Sequence, residues 1–449
     1  MRFVNRDTSP ARAARLILLL LVMLGLAGCS RRLPMAPDAQ SVSGRGSIPA
    51  SGDDPFAGTV VVTVTYGTDE NALAADYGAT SLQRVWDCVA LLPSPGETAT
   101  SLADRLRPDP RIITAEQDAA LETAESRQQS VAFDDGNGSF QTYTSQPAAD
   151  SIGLDAAHQV STGDGVLVAI LDTGAALDHP ALSGRIAGGW DFIDHDAVPS
   201  DDPDGLDNDG DGEIDEARGH GTHVAGIVAR TAPDARLLIV RVLDADGRGD
   251  VMSVTCGIQW AMTHGARVIN MSLGMLKPSD AIQHVLMQAE RDYGVVCVAS
   301  AGNWGAQSPE EYPAKSSHVL AVAAVDVDRR AAEFTSYGSF VAVCAPGVGV
   351  RSTFWNGGYV LWSGTSMSAP FVSGTAALLL ALHPAWTRDD VLDRLASSAR
   401  PALPLTPDQV GRLGVGALDA AAALAPDSPL LVQPVPVPPG LPWTPLDPQ

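Results

Sequence analysis

Short apolar runs, each followed by a stretch with helical spacing, dominate the middle of this chain. Val166 to Leu171, Leu237 to Val242, Val268 to Met271, Val295 to Ala299 and Val319 to Ala324 are almost continuously apolar, the texture of strands buried on both faces. That alternation predicts, over residues 149–425, an α/β domain with a doubly wound, mostly parallel sheet and helices on both faces. In such sheets the reactive groups gather beyond the carboxyl ends of the strands.

Upstream the texture changes. Val60, Val61, Val62 and Val64 form a β-branched run, a helical stretch covers Asn71 to Tyr77, and an apolar strand runs from Trp86 to Leu92. An amphipathic piece around Leu102 and Leu106 leads to Arg111-Ile112-Ile113. The order strand–helix–strand–helix–strand over residues 58–117 predicts a small α/β or α+β unit. The stretch from Glu116 to Tyr143 is polar and reads as flexible, which makes residues 118–148 a linker open to processing. Residues 29–57, rich in Ser, Pro, Gly and Asp, read as a tether, and the proline-dense residues 426–449 as an extended or disordered tail.

The N-terminus carries an export signal. Arg2, Arg6, Arg12 and Arg15 precede an apolar run from Leu16 to Leu26. Such a run makes only about 16 Å of helix against ~30 Å of hydrocarbon, so residues 1–28 read as a signal peptide rather than a membrane span. The run ends in Leu26-Ala27-Gly28-Cys29, which resembles the bacterial lipobox. That resemblance implies a diacylglycerol on Cys29, cleavage before it, and a chain anchored in the bacterial cell envelope. Ser30, where an aspartate would retain the chain at the inner membrane, implies the outer membrane by the same rule.

A net charge of −24 excludes a general nucleic-acid binder and electrostatic attachment to an anionic bilayer, both of which need a basic face. It leaves oligomeric state open. Cys88, Cys256, Cys297 and Cys344 form no C-x-x-C pair, and the last three sit among small apolar residues, so buried free thiols are expected rather than a disulfide.

Three segments bear chemistry: VAILDTG, ending a strand at Asp172; GHGTHVAGI, opening a helix at His220; and SGTSMSAP, opening another at Ser366. A serine hydroxyl is a weak nucleophile until an adjacent base takes its proton. A histidine supplies the base, and a shielded carboxylate fixes its tautomer and steadies the imidazolium. Gly219 and Gly221 are expected to leave space beside the imidazole for substrate. In residue pattern and chain order the three segments resemble the aspartate, histidine and serine motifs of the subtilisin-like peptidases, over roughly residues 150–425.

The resemblance implies a secreted serine endopeptidase acting on polypeptides through an acyl-enzyme, with Asp172, His220 and Ser366 as triad. It assigns the oxyanion donor to Asn303 in VASAGN, with the Ser366 backbone N–H as the second. It makes Gly247, Gly249, Ser272, Leu273 and Gly274 the edges that pair with an extended substrate. Met275 replaces the family's second glycine there, which implies an altered primary pocket, and Glu310 and Glu311 fall near the expected pocket wall. His223 is structural by the same pattern, and His179, before a proline, shapes a turn. Residues 58–117 stand where relatives carry an inhibitory prodomain. With the lipid upstream of that unit, self-cleavage between about Ala115 and Asp150 would release the peptidase domain to the exterior. A catalytically silent binding protein and an esterase are the competing readings; intact Asp172, His220, Ser366 and Asn303 oppose the first, and peptide-binding edges the second.

No organic cofactor is called for. The loop from Asp207 to Glu216 has the alternation of an EF-hand loop, with Asp207, Asp209 and Asp211 on the first ligand positions and Glu213, Asp215 and Glu216 following. Arg218 stands where the closing bidentate glutamate is usual, and Glu216 is the available substitute. Crowded carboxylates repel, so a structural Ca²⁺ is expected. The familiar calcium site of subtilisins is expected to be missing: Ala181 replaces its acidic ligand, and VARTAPDARL is too short for its loop.

Overall fold

The computed structural model describes residues 58–125 and 132–425; the export signal, Cys29, the tether and the proline-dense tail lie outside them. Residues 58–117 form a four-stranded antiparallel sheet of β1 (Val60–Val64), β2 (Thr80–Val85), β3 (Cys88–Leu92) and β4 (Ile112–Gln117), in the order β2-β3-β1-β4. Helices Glu70–Tyr77 and Ala99–Leu106 cover one face, where Val60, Val62 and Val64 meet Leu73, Leu102 and Leu106. The other face presents Val61, Val85, Cys88 and Ala90 to helix Val251–Thr263 of the large domain. Burial on both faces is why β1 is an unbroken β-branched run rather than an alternating one.

Two features differ from what the sequence predicts. The apolar stretch from Trp86 belongs to a hairpin: β2 pairs with β3, and Trp86 turns between them at φ 51°. TSLQRV alternates too weakly to be read as a strand. The stretch read as polar and flexible from Glu116 instead completes β4 and continues into β5 (Ala120–Glu122), which pairs with the large domain. A three-residue strand draws its stability from the edge it joins, so its own sequence carries no signal.

The large domain contributes, in chain order, β6 (Leu167–Asp172), β7 (Ile186–Asp191), β8 (Arg236–Arg241), β9 (Arg248–Asp250), β10 (Val268–Met271), β11 (Val296–Ser300), β12 (Val319–Val325), β13 (Val341–Pro346), β14 (Val350–Thr353) and β15 (Tyr359–Trp362). Seven of these form one parallel sheet in the order β13-β12-β11-β10-β6-β8-β7, as the doubly wound pattern predicts. The five apolar runs are its inner strands. The edges β7 and β13 were not among them, and β7 (IAGGWD) is half-exposed and glycine-rich.

Among the described residues one helix, Thr365–Leu382, is long and apolar enough to cross a membrane, but 89% of that window is buried inside the protein. It forms the spine of the core, lying against β10–β13 and against helix His220–Thr231. The two helices approach closely at Gly374, where an added Cβ would fall 2.4 Å from Thr231 Cβ. Gly226, on the same histidine helix, lies against the Ser352 and Thr353 hydroxyls, each 2.2 Å from a Cβ built there. The described cysteines, Cys88, Cys256, Cys297 and Cys344, are free and buried, as expected.

Substituting Gly374→Ala should lower stability by ~1–3 kcal/mol, because overlap with a backbone-attached carbon outweighs the gain in helix propensity. Thermal melting in a Ser366→Ala background measures it; an unchanged or raised melting temperature would show that the crossing is not tight.

Candidate active site

Asp172 ends β6, His220 is the first residue of its helix, and Ser366 is the second residue of the core helix. All three are fully buried with the N-terminal unit in place. The sheet delivers Asp172 at its carboxyl edge, and the helix crossing brings the N-termini carrying His220 and Ser366 to the same edge. His220 Nδ1 lies 2.6 Å from Asp172 Oδ1, which also accepts the Thr173 N–H at 2.9 Å.

Asp201 caps the histidine helix. It accepts from the Gly219 and Thr222 backbone N–H groups at 3.0 and 3.3 Å and from the Thr222 hydroxyl at 2.6 Å. A carboxylate there complements the positive end of the helix. The glycines around His220 do not open space for substrate, as the sequence suggested. A Cβ on Gly219 would strike the Phe354 ring at 2.4 Å, and one on Gly221 the Gly174 carbonyl oxygen at 2.2 Å. Gly219 also takes φ 94°, where a side chain is strained. Their role is close packing of the imidazole.

Asn303 follows β11. Its Oδ1 accepts from the Thr365 backbone N–H and hydroxyl, both at 2.9 Å, which turns Nδ2 toward the space before Ser366. A hydrogen-bonded chain holds the serine turn from behind: Ser373 Oγ donates to Asn270 Oδ1, Asn270 Nδ2 to Ser272 Oγ, and Ser272 Oγ to the Ser366 carbonyl. His223 Nε2 meets the Val350 carbonyl, and burial with the neighbouring His220 pushes its pKa down to about 3, so it is neutral and structural. His179 accepts the Ala181 N–H and meets the Gly358 carbonyl, shaping its turn.

The cleft is filled by the chain itself. Leu121 of β5 lies opposite Gly249, Glu122 exchanges both backbone hydrogen bonds with Gly274 at 3.0 and 2.8 Å, and Thr123 N–H donates to the Gly247 carbonyl at 3.0 Å. Gly247, Gly249 and Gly274 therefore pair with an extended segment, whereas Leu273 is buried in the core and Ser272 Oγ faces Ser366. Met275 exchanges backbone hydrogen bonds with Tyr312, tying this edge to the segment that carries Glu311.

At Ala124 the chain leaves the extended path and begins a helical turn, which inserts the Glu125 carboxylate. Glu125 Oε2 accepts from Ser366 Oγ at 2.5 Å and lies 3.2 Å from His220 Nε2, while Oε1 accepts from Asn303 Nδ2 at 2.8 Å. Sequence reading missed Glu125, and no local signal distinguishes it from the polar residues around it.

Burial disfavours charge on His220, but Asp172 and Glu125 overcome it and push the pKa from 6.5 up to about 10. Burial likewise acts against the Glu125 carboxylate, yet His220, Ser366 and Asn303 hold its pKa below the ordinary value. The two therefore form an ion pair.

The acidic loop is brought together in part. Asp207, Asp209 and Asp211 place carboxylate oxygens within 4.8 Å of one another. Glu216 is half-buried with both carboxylate oxygens shielded from solvent, and burial and the Asp246 carboxylate push its pKa up to about 8. Asp215 turns away and accepts the Asp204 and Gly205 backbone N–H groups, and the exposed Glu213 lies outside the cluster. Asp246, buried beside this loop, accepts the Asn208 and Asp215 backbone N–H groups. Helix His220–Thr231 runs without an inserted loop, and Ala181 packs with Tyr143 and Tyr359.

A buried Asp–His pair, a serine at a helix N-terminus and an amide aimed in front of it define a serine hydrolase of the subtilisin-like α/β fold. Residues 163–419 match the Subtilase family (Peptidase_S8), and the chain belongs to that family. It is 42% identical over 246 residues to the thermostable alkaline protease of Halalkalibacterium halodurans, covering 53% of this chain and 63% of that protein. With thermitase of Thermoactinomyces vulgaris it shares 38% identity over 268 residues, 58% of this chain and 86% of the relative. A solved protease structure from Pseudoalteromonas arctica superposes with a TM-score of 0.54 at 34% identity, covering 61% of this chain and 93% of that one.

The ion pair predicts a pH dependence. His220, raised from 6.5 to about 10, stabilises fully below pH 6.5 and loses that contribution as pH rises through 10. Glu125, lowered from 4.5, contributes above pH 4.5 and loses it only as pH falls through its lower folded value. The melting-temperature gap between Ser366→Ala and Ser366→Ala/Glu125→Gln should therefore shrink as pH rises from 6.5 to 10. A gap constant over that range would rule out the ion pair.

Proposed function

We propose that the chain is a secreted serine endopeptidase made as a self-inhibited, lipid-anchored precursor. One observation carries this reading: a single Glu125 oxygen contacts both Ser366 and His220 while the other meets Asn303, so these three groups converge on the point that the carboxylate occupies. That point is where the carbonyl group of a bound peptide would lie.

Once Glu125 departs, Ser366 Oγ attacks the peptide carbonyl as His220 Nε2 takes the hydroxyl proton. Asp172, held at Nδ1, stabilises the imidazolium. Asn303 Nδ2 and the Ser366 backbone N–H receive the developing oxyanion, and His220 then protonates the departing amine. Water hydrolyses the acyl-enzyme by the same steps in reverse. Gly247, Gly249 and Gly274 supply the main-chain pairing that favours polypeptides over small esters.

Residues 58–125 act as the inhibitory unit. Their β5 occupies the substrate edges, and a carboxylate side chain rather than a peptide carbonyl rests on the nucleophile, so the bound segment is not itself poised for cleavage. A lipid on Cys29 would anchor this unit in the cell envelope, and cleavage beyond it would free the peptidase. A fluorophosphonate should label the incubated full chain at Ser366 and casein should be degraded, with both lost in Ser366→Ala. Fractionated in parallel, wild type should shed its peptidase domain from membranes while Ser366→Ala stays bound. Equal retention would reject release by self-processing, and no labelling would reject the enzyme.

A structural Ca²⁺ fits the acidic loop: Asp207, Asp209 and Asp211 would hold it, with the half-buried Glu216 carboxylate offering further oxygens. A bound cation relieves their repulsion and orders the loop that leads into His220. At a hundredfold excess over Kd such a cation stabilises by about 2.7 kcal/mol. Calcium should raise the melting temperature of Ser366→Ala and EDTA lower it, with Asp209→Ala insensitive to both; equal melting in calcium and EDTA would refute the site.

A further inference from the structure

Beside the oxyanion donor lies a carboxylate that the catalytic steps do not use. Glu311 is 1% exposed and sits between two glycines. A Cβ built on Gly274 would fall 2.1 Å from Glu311 Oε2, and one built on Gly302 would fall 2.9 Å from its Cδ. Neither glycine could carry a side chain without displacing this carboxyl group.

The two glycines locate the carboxylate relative to substrate. Gly274 is the residue that exchanges both backbone hydrogen bonds with the bound segment, at Glu122. Gly302 directly precedes Asn303, whose Nδ2 marks the oxyanion position. A peptide paired to Gly274 with its reacting carbonyl at Asn303 must send the side chain of the attacked residue between these two walls. Glu311 lies between them.

The carboxylate is also held in place. Trp304 Nε1 donates to Oε1 at 2.5 Å, and the Tyr312 backbone beside it is tied to Met275. Its neighbour Glu310 is engaged elsewhere, in an ion pair with Lys315. Ala124, the residue directly after the paired stretch, carries only a methyl group, and Glu311 is shielded from water in the whole chain.

We propose that Glu311 determines specificity, selecting lysine or arginine at the residue whose carbonyl is attacked. This rests on the peptidase reading and deepens it. A carboxylate in a water-poor pocket gains a charge-assisted hydrogen bond when a cationic side chain enters beside it. An apolar side chain would instead cover the carboxylate without pairing it, which disfavours that complex. A pocket built around a polar partner rejects ligands lacking the matching group far more strongly than a pocket discriminating by size.

Full-length protein, incubated until the fraction that labels with fluorophosphonate in separate aliquots reaches a plateau, should be assayed without label on fluorogenic peptides differing only at that residue: Lys, Arg, Phe, Leu or Glu. kcat/KM for Lys and Arg should exceed that for Phe and Leu by at least ~10-fold, with Glu lowest. Glu311→Gln should reduce the Lys/Phe ratio at least ~10-fold, and Glu311→Asp should restore part of it. Wild type favouring Phe or Leu would overturn the proposal. So would a Glu311→Gln variant that loses activity equally on every peptide, which would make Glu311 a support for Trp304. A wild-type chain that takes no label would instead bring down the peptidase reading, and this proposal with it.

Discussion

Close contact between two buried helices underlies the site. Helix His220–Thr231 and helix Thr365–Leu382 meet where Gly374 lies against Thr231, and Gly226 brings the histidine helix equally close to Ser352 and Thr353. Catalytic groups must be held to within fractions of an ångström, and a packed interior of this density resists small displacements. The parallel sheet supplies the third coordinate, because β6 ends at Asp172 on the edge where both helices begin. His220 is thus fixed from the sheet by Asp172, from its own N-terminus by Asp201, and from the side by Phe354 against Gly219.

The same buried setting explains how a carboxylate can rest between Ser366, His220 and Asn303. In water an ion pair between glutamate and histidine is weak; inside a closed cleft, with an amide and a hydroxyl also donating, each contact strengthens. In the proposed reaction Glu125 occupies the place of developing negative charge, so groups that would receive a transient anion meet a carboxylate instead. The backbone pairing of β5 lends it main-chain affinity, while the turn at Ala124 directs a side chain rather than a peptide bond at the nucleophile.

Acidic groups are grouped by task along this chain. Asp172 and Asp201 orient the histidine, Glu125 occupies the nucleophile, Glu311 lies beside the pocket, and the Asp207–Asp211 cluster sits just before the histidine helix. Outside the largely exposed Asp207–Asp211 cluster, these are buried carboxylates with specific partners, so the net charge of −24 is not only a solvated surface.

Much of this was legible from residue order alone. Inner strands buried on both faces must be continuously apolar, so β6, β8, β10, β11 and β12 announced themselves, and the residue types around Asp172, His220, Ser366 and Asn303 follow from what acyl transfer requires. The weakly patterned β2, the edge β7 and the three-residue β5 did not, because their stability comes from the strands they join. Glu125 was illegible as a functional group, because it lies 241 positions from Ser366 and nothing near it says what it will face. Glu311 could be placed near the pocket wall only by resemblance, and the groups around it could not be read from residue order. Sequence by itself determined which chemistry the chain can perform. Only the folded structure decided which carboxylates meet it, because a charged side chain acquires its role from the distance and dielectric of its neighbours, and those neighbours are brought together only by packing.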